Sequence, residues 1–102
     1  MDFEKRLDSL LWNYGVPPQL TGKRYLIYIL KQIHHGSEIT PTLLIETAQE
    51  FGKTRSAVYS ALDIVRKKII NQCRATGEPY PRMHRNSFYE FLYWFYQRAT
   101  SD

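Results

Sequence analysis

A chain of 102 residues with 43% hydrophobic residues is one domain's worth of sequence, long enough to bury an apolar core without disulfides or metals. Its formal net charge of +4 and pI near 9.3 favour an anionic partner such as nucleic acid over a basic one. The single cysteine, Cys73, excludes an intramolecular disulfide, and with no signal-peptide pattern and no run of about 20 apolar residues the expectation is a reduced, cytoplasmic protein without membrane association.

Phe3, Leu7, Leu10, Leu11 and Tyr14 recur at helical intervals, and Gly15 with Pro17 and Pro18 ends that first helix. A second begins near Thr21 or Gly22. It carries Tyr25, Leu26, Ile29, Leu30 and Ile33 before Gly36 stops it, and Ile27 and Tyr28 widen its apolar face, as expected of a central, heavily buried helix.

From Ile39 to Leu62 the pattern spells two helices around a glycine-bearing turn. Thr40 is the expected cap of the first, with Pro41 at its first helical position, Leu44, Ala48 and Phe51 as its apolar stripe and Gly52 as its left-handed stop. Thr54 then caps a helix that turns Val58, Ala61, Leu62, Val65 and Ile69 inward and Arg55, Ser56, Tyr59, Ser60 and Asp63 outward. This is the layout of a helix-turn-helix over about residues 40–74, whose second helix reads base edges with its first turns. Arg55, Ser56, Tyr59 and Ser60 are the candidates for the groove. The helix starts at Thr40 and Thr54, with Lys53 and Arg55, are candidates for phosphates. Arg55 is the one strong base donor on the first turn; its alternative is a solvated helix start.

The same helix extends to Gln72 or Arg74, and its distal half is basic. Arg66, Lys67 and Lys68, with Arg74, Arg82 and Arg85, are balanced there only by Glu78 and form either a second phosphate-contacting patch or a solvated surface. Ala75 to Arg85, with Gly77, Pro79 and Pro81, reads as a loop. Ser87 and Glu90 form a capping box for a last helix, in which Phe88, Phe91, Leu92 and Phe95 belong to the core. Tyr89, Tyr93, Trp94 and Tyr96 are then spare rings, available for a dimer or partner interface. With no alternating strand pattern and no internal repeat, the fold class is all-α, a single five- to six-helix domain over residues 1–102.

Neighbouring His34 and His35 point about 100° apart on a helix and cannot chelate one ion together, and His84 and Cys73 are distant in sequence. No paired carboxylates or nucleophile grouping suggest acid-base or covalent chemistry. Neither an enzyme, a cofactor nor a metal site is expected, and Cys73 reads as a half-buried small residue.

Gly15, Val16, Pro17, Leu20, Gly22, Tyr25 and Leu26 fit the pattern G-[IV]-P-x-x-[IL]-x-G-x-x-Y-L, and Ile39, Thr40, Leu43, Ala48, Phe51, Thr54, Ser56, Val58, Ala61 and Leu62 follow in register, with Asn86 and Ser87 before the last helix. On these residues the chain resembles, nearly end to end, the C-terminal DNA-binding domain of the stage-zero sporulation response regulators of spore-forming bacteria. The resemblance implies an all-helical effector domain with a central helix-turn-helix, located on the bacterial nucleoid, binding double-stranded promoter DNA and touching RNA polymerase sigma subunits. The family's phosphorylatable receiver domain has no counterpart among these residues, so a stand-alone regulator is expected.

A second departure lies on the recognition face. Where the family reads Ser-Arg-Val-Glu-Arg-Ala-Ile-Arg, this chain reads Ser56, Ala57, Val58, Tyr59, Ser60, Ala61, Leu62, Asp63. Arginine contacts to guanine are worth about 1–3 kcal/mol of discrimination each, and Asp63 should be repelled by phosphates, so a different target site or weaker binding is expected. Two functions follow: a DNA-binding regulator, dimeric because one small domain spans few base pairs, or a protein-interaction module on the same scaffold that binds a sigma subunit, a related regulator or itself.

Overall fold

Apolar side chains spaced three and four apart draw the chain into helices wherever glycine and proline allow. The computed structural model describes residues 2–81 and 87–101, and these form α1 (Phe3–Asn13), α2 (Thr21–His34), α3 (Thr42–Phe51), α4 (Arg55–Thr76) and α5 (Phe88–Thr100). Among the described residues there is no strand, and no helix is long and apolar enough to cross a membrane.

α2 is the hub, packing against each of the other four helices, and it buries Tyr25, Leu26, Ile29 and Leu30. Its seat on α4 is unusually close. A Cβ on Gly22 would overlap the Ala61 carbonyl oxygen and stand 2.8 Å from Val65 Cγ2. Backbone cannot yield as a flexible side chain can, so this crossing requires glycine for space, not for its dihedral freedom. At the other end of the motif, Gly15 takes φ +78° and lets the Val16 amide donate to the Leu11 carbonyl at 2.9 Å, turning the chain from α1 toward α2.

α3 starts without the expected Thr40 cap. Pro41 does take the helical angles expected of a first helical residue, φ −55° and ψ −23°, and backbone carbonyls accept the amides that follow: Leu43 N donates to Thr40 O at 3.0 Å and Leu44 N to Pro41 O at 3.1 Å. Gly52 does close the helix as expected, at φ 63° and ψ 38°, with the Lys53 amide donating to Ala48 O at 2.9 Å.

Thr54 is extended and its hydroxyl accepts the Ala57 amide at 3.1 Å, as the sequence predicts. Val58, Leu62, Val65 and Ile69 face the core. α4 continues to Thr76, two residues past Arg74, because nothing before Gly77 breaks it; Gly77 then adopts the left-handed conformation.

Phe88, Phe91, Leu92 and Phe95 fill the core as expected. Ser87, however, sits at φ −101° and ψ 9° rather than extended, and its side chain makes no capping hydrogen bond, so its half of the capping box does not form. Glu78 adds a polar tie between α5 and the rest. Its carboxylate accepts Tyr14 Oη at 2.6 Å and Arg98 Nη2 at 2.8 Å, joining the end of α1, the exit of α4 and α5. Glu78 is therefore spent inside the fold rather than balancing the basic surface. Cys73 is fully buried, not half-buried, with its thiol 3.9 Å from Glu78. Burial first, and the carboxylate next, push that thiol's pKa up, which keeps it protonated.

The tight crossing gives a first expected outcome. Gly22→Ala, normally favourable in a helix by about 1 kcal/mol, should instead lower stability by about 2 kcal/mol in urea unfolding. Stability equal to or above wild type would refute the close seating of α2 on α4.

Candidate nucleic-acid interface

A capped helix with one buried face must present the other to solvent, and the first turns of α4 do so. Lys53, Thr54, Arg55, Ser56 and Ser60 are exposed together. Tyr59, expected to point outward, is half-buried because its ring leans on Phe88 at 5.2 Å between centroids. Its ring belongs to the α4–α5 joint. Thr40 is half-buried and stands at the far end of α3, a helix about 15 Å long, so it does not gather with the others.

Asp63 is not the bare repulsive charge its sequence position suggests. Its carboxylate accepts Arg66 Nη2 at 2.6 Å and Nε at 3.1 Å, and Lys67 Nζ lies 3.2 Å away. Burial alone would raise its pKa; the hydrogen bonds from Arg66 and Lys67 outweigh that and hold the carboxyl below the ordinary range. Arg66 in turn is 3% exposed and lies over the Phe88 ring at 5.4 Å, so the expectation that it contacts phosphate is corrected: it works inside the fold. Lys67 is exposed beside Asp63, Lys68 is exposed and makes no ion pair among the described residues, and Arg74 is engaged with Tyr80 Oη at 3.2 Å. The expected contacts Arg82 and Arg85 lie outside the described residues.

The α3–α4 turn is one of the places where cations go without an ion pair. Lys23 is matched by Asp8 at 2.9 Å, Lys31 by Glu4 at 2.8 Å and Arg98 by Glu78, whereas among the described residues Lys53, Arg55 and Arg24 have no carboxylate partner. Arg24 is the residue that sequence reading missed. It belongs to α2, yet its guanidinium carbon lies 5.2 Å from the centroid of Phe51, the last residue before the turn, and 5.9 Å from that of Tyr25. No local pattern reveals this, because the contact joins helices distant in sequence. One turn further along α2 the sign changes: exposed Glu46 and Glu50 of α3 act on Tyr28, whose hydroxyl pKa is raised by burial first and by these carboxylates next. Cations thus lie toward the start of α2, and carboxylates one turn further along it.

The proposed interface of spare rings is smaller than the sequence suggests. Tyr89 packs on Phe88; Trp94 sits edge-on to Tyr14 at 6.2 Å with Arg98 over it at 5.3 Å; and Tyr96 shares a 3.1 Å hydrogen bond with His34 Nδ1, whose ring stacks on Phe3 at 4.0 Å. Each is half-buried, and only Tyr93 of the four is largely exposed, at 56%. Among the described residues no group of three His, Cys, Asp or Glu side chains is placed to hold a metal ion. The chain matches no protein-family model, no curated protein and no solved structure.

The Asp63 cluster has a pH signature. A carboxyl whose native pKa lies below its unfolded value of about 4 contributes stability above that value and loses it as pH falls through the native pKa. Asp63→Asn should therefore cost about 2 kcal/mol at pH 7 in chemical denaturation, and the gap to wild type should narrow by pH 3. An unchanged stability at pH 7 would contradict the clamp.

Proposed function

We propose that the chain is a DNA-binding transcriptional regulator in which α3 and α4 act as a helix-turn-helix and the first two turns of α4 enter the major groove. The observation that carries this reading is that Lys53 and Arg55, which have no carboxylate partner among the described residues, stand exposed at a capped helix start whose inward face is committed to the core, with Arg24 held on Phe51 just before the turn. Unsatisfied helix-terminal amides and nearby cations suit phosphates, and a guanidinium on the first turn suits a guanine edge. The sequence resemblance to sporulation effector domains adds promoter DNA as the target class and bacterial transcription as the setting. Binding as a dimer to two half-sites extends the few base pairs that one domain reads.

Protein contact is the less favoured reading, since three of the four rings offered for it are engaged within the fold. A sigma-subunit contact rests on the resemblance alone.

Selection from a random-sequence duplex pool at low salt should enrich a defined motif. Arg55→Ala should then weaken binding to the selected duplex by about tenfold in fluorescence anisotropy. Tyr59→Phe, which keeps the ring against Phe88, separates any base contact of the hydroxyl from packing. A pool left unenriched overturns the proposal.

A further inference from the structure

We infer that Arg24 is a phosphate clamp, a residue that grips the DNA backbone beside the recognition helix without reading sequence; this rests on the DNA-binding reading above. Arg24 is exposed on α2 rather than on α4, so it flanks the helix proposed to enter the groove. Its guanidinium lies over Phe51 at 5.2 Å with Tyr25 at 5.9 Å, and Phe51 is itself braced by the edges of Tyr25 and Tyr28, at 4.9 and 5.7 Å between ring centroids. Aromatic faces hold a guanidinium without occupying its in-plane N–H donors. No carboxylate among the described residues forms an ion pair with it, in contrast to Lys23 beside it in sequence, which Asp8 neutralises at 2.9 Å. A planar, pre-positioned fork with its donors unspent fits two oxygens of a phosphodiester. Lys53 and Arg55 follow Phe51 in the chain and are exposed as well.

Stacking also sets where the clamp sits. Phe51 is the last residue of α3, directly before Gly52, so the ring that holds Arg24 moves as one body with the turn that presents Arg55. The backbone contact and the base contact are thereby kept at a fixed separation, which is how phosphate contacts register a reading helix on a duplex.

The test is salt-dependent binding of the full chain to the selected duplex and to a scrambled one. Arg24→Ala should make the slope of log K against log salt shallower by about 1 and weaken binding about three- to tenfold, equally on both duplexes, with an unchanged melting temperature. Arg24→Lys should keep most of the slope but bind less tightly than wild type, since the charge survives and the fork does not. Phe51→Leu should lose part of the affinity and add little when combined with Arg24→Ala. Exposed Lys5→Ala, which lowers net charge equally, should leave both slope and affinity unchanged.

If Arg24→Ala binds like wild type while Arg55→Ala is impaired, the clamp is wrong and the DNA-binding reading stands. A loss confined to the selected duplex makes Arg24 a base reader and also overturns the clamp. If wild type binds neither duplex at low salt, both readings fall together.

Discussion

At the crossing of α2 and α4, the Ala61 carbonyl occupies the space that any side chain on residue 22 would need. Everything that the fold offers to a partner depends on this contact. Because α2 also packs on α1, α3 and α5, pressing it against the middle of α4 fixes the long helix relative to the whole core. The first turns of α4 are then a rigid, outward-facing edge rather than a fraying end, with Thr54 capping them and Val58 and Leu62 anchoring them from below.

Charge is organised around that edge by pairing elsewhere. Asp63 is clamped by Arg66 and Lys67, Glu78 by Arg98 and Tyr14, Asp8 by Lys23 and Glu4 by Lys31. The surface pairs among them, Lys23–Asp8 and Lys31–Glu4, contribute little stability, about 0–1 kcal/mol each. A larger consequence of the pairing is electrostatic: Lys53, Arg55 and Arg24 are left without a carboxylate near the α3–α4 turn, where an anion would meet both exposed cations and helix-terminal amides. Asp63 on α4 would repel an anion less than its formal charge implies, since two cations already share it.

The helices were legible because each has an apolar stripe and four of the five are closed by a glycine: Gly15, Gly36, Gly52 and Gly77 all adopt positive φ, and Thr54 caps α4 as its position predicts. Local pattern failed where tertiary context decides. The phenylalanine face of α5 draws Tyr59 and Arg66 inward, and Tyr14 and His34 recruit rings that looked spare. The exposed members of the candidate interface, Lys53 to Ser56 and Ser60, follow from helix periodicity alone, whereas Arg24 joins them only through a ring stack between helices that are remote in sequence. Ion pairing is likewise invisible to a count of charges, which is why a basic run could hide a buried arginine.

The account turns on α4's amino-terminal turns being the surface that meets a duplex. Mapping backbone amide shifts of isotopically labelled protein on titration with a duplex selected from a random pool tests that directly. The largest changes should run from Lys53 to Ser60 and include Arg24, while amides around exposed Trp12 and Tyr93 stay still. Changes centred on Trp12 or Tyr93, with the α3–α4 turn silent, would contradict it.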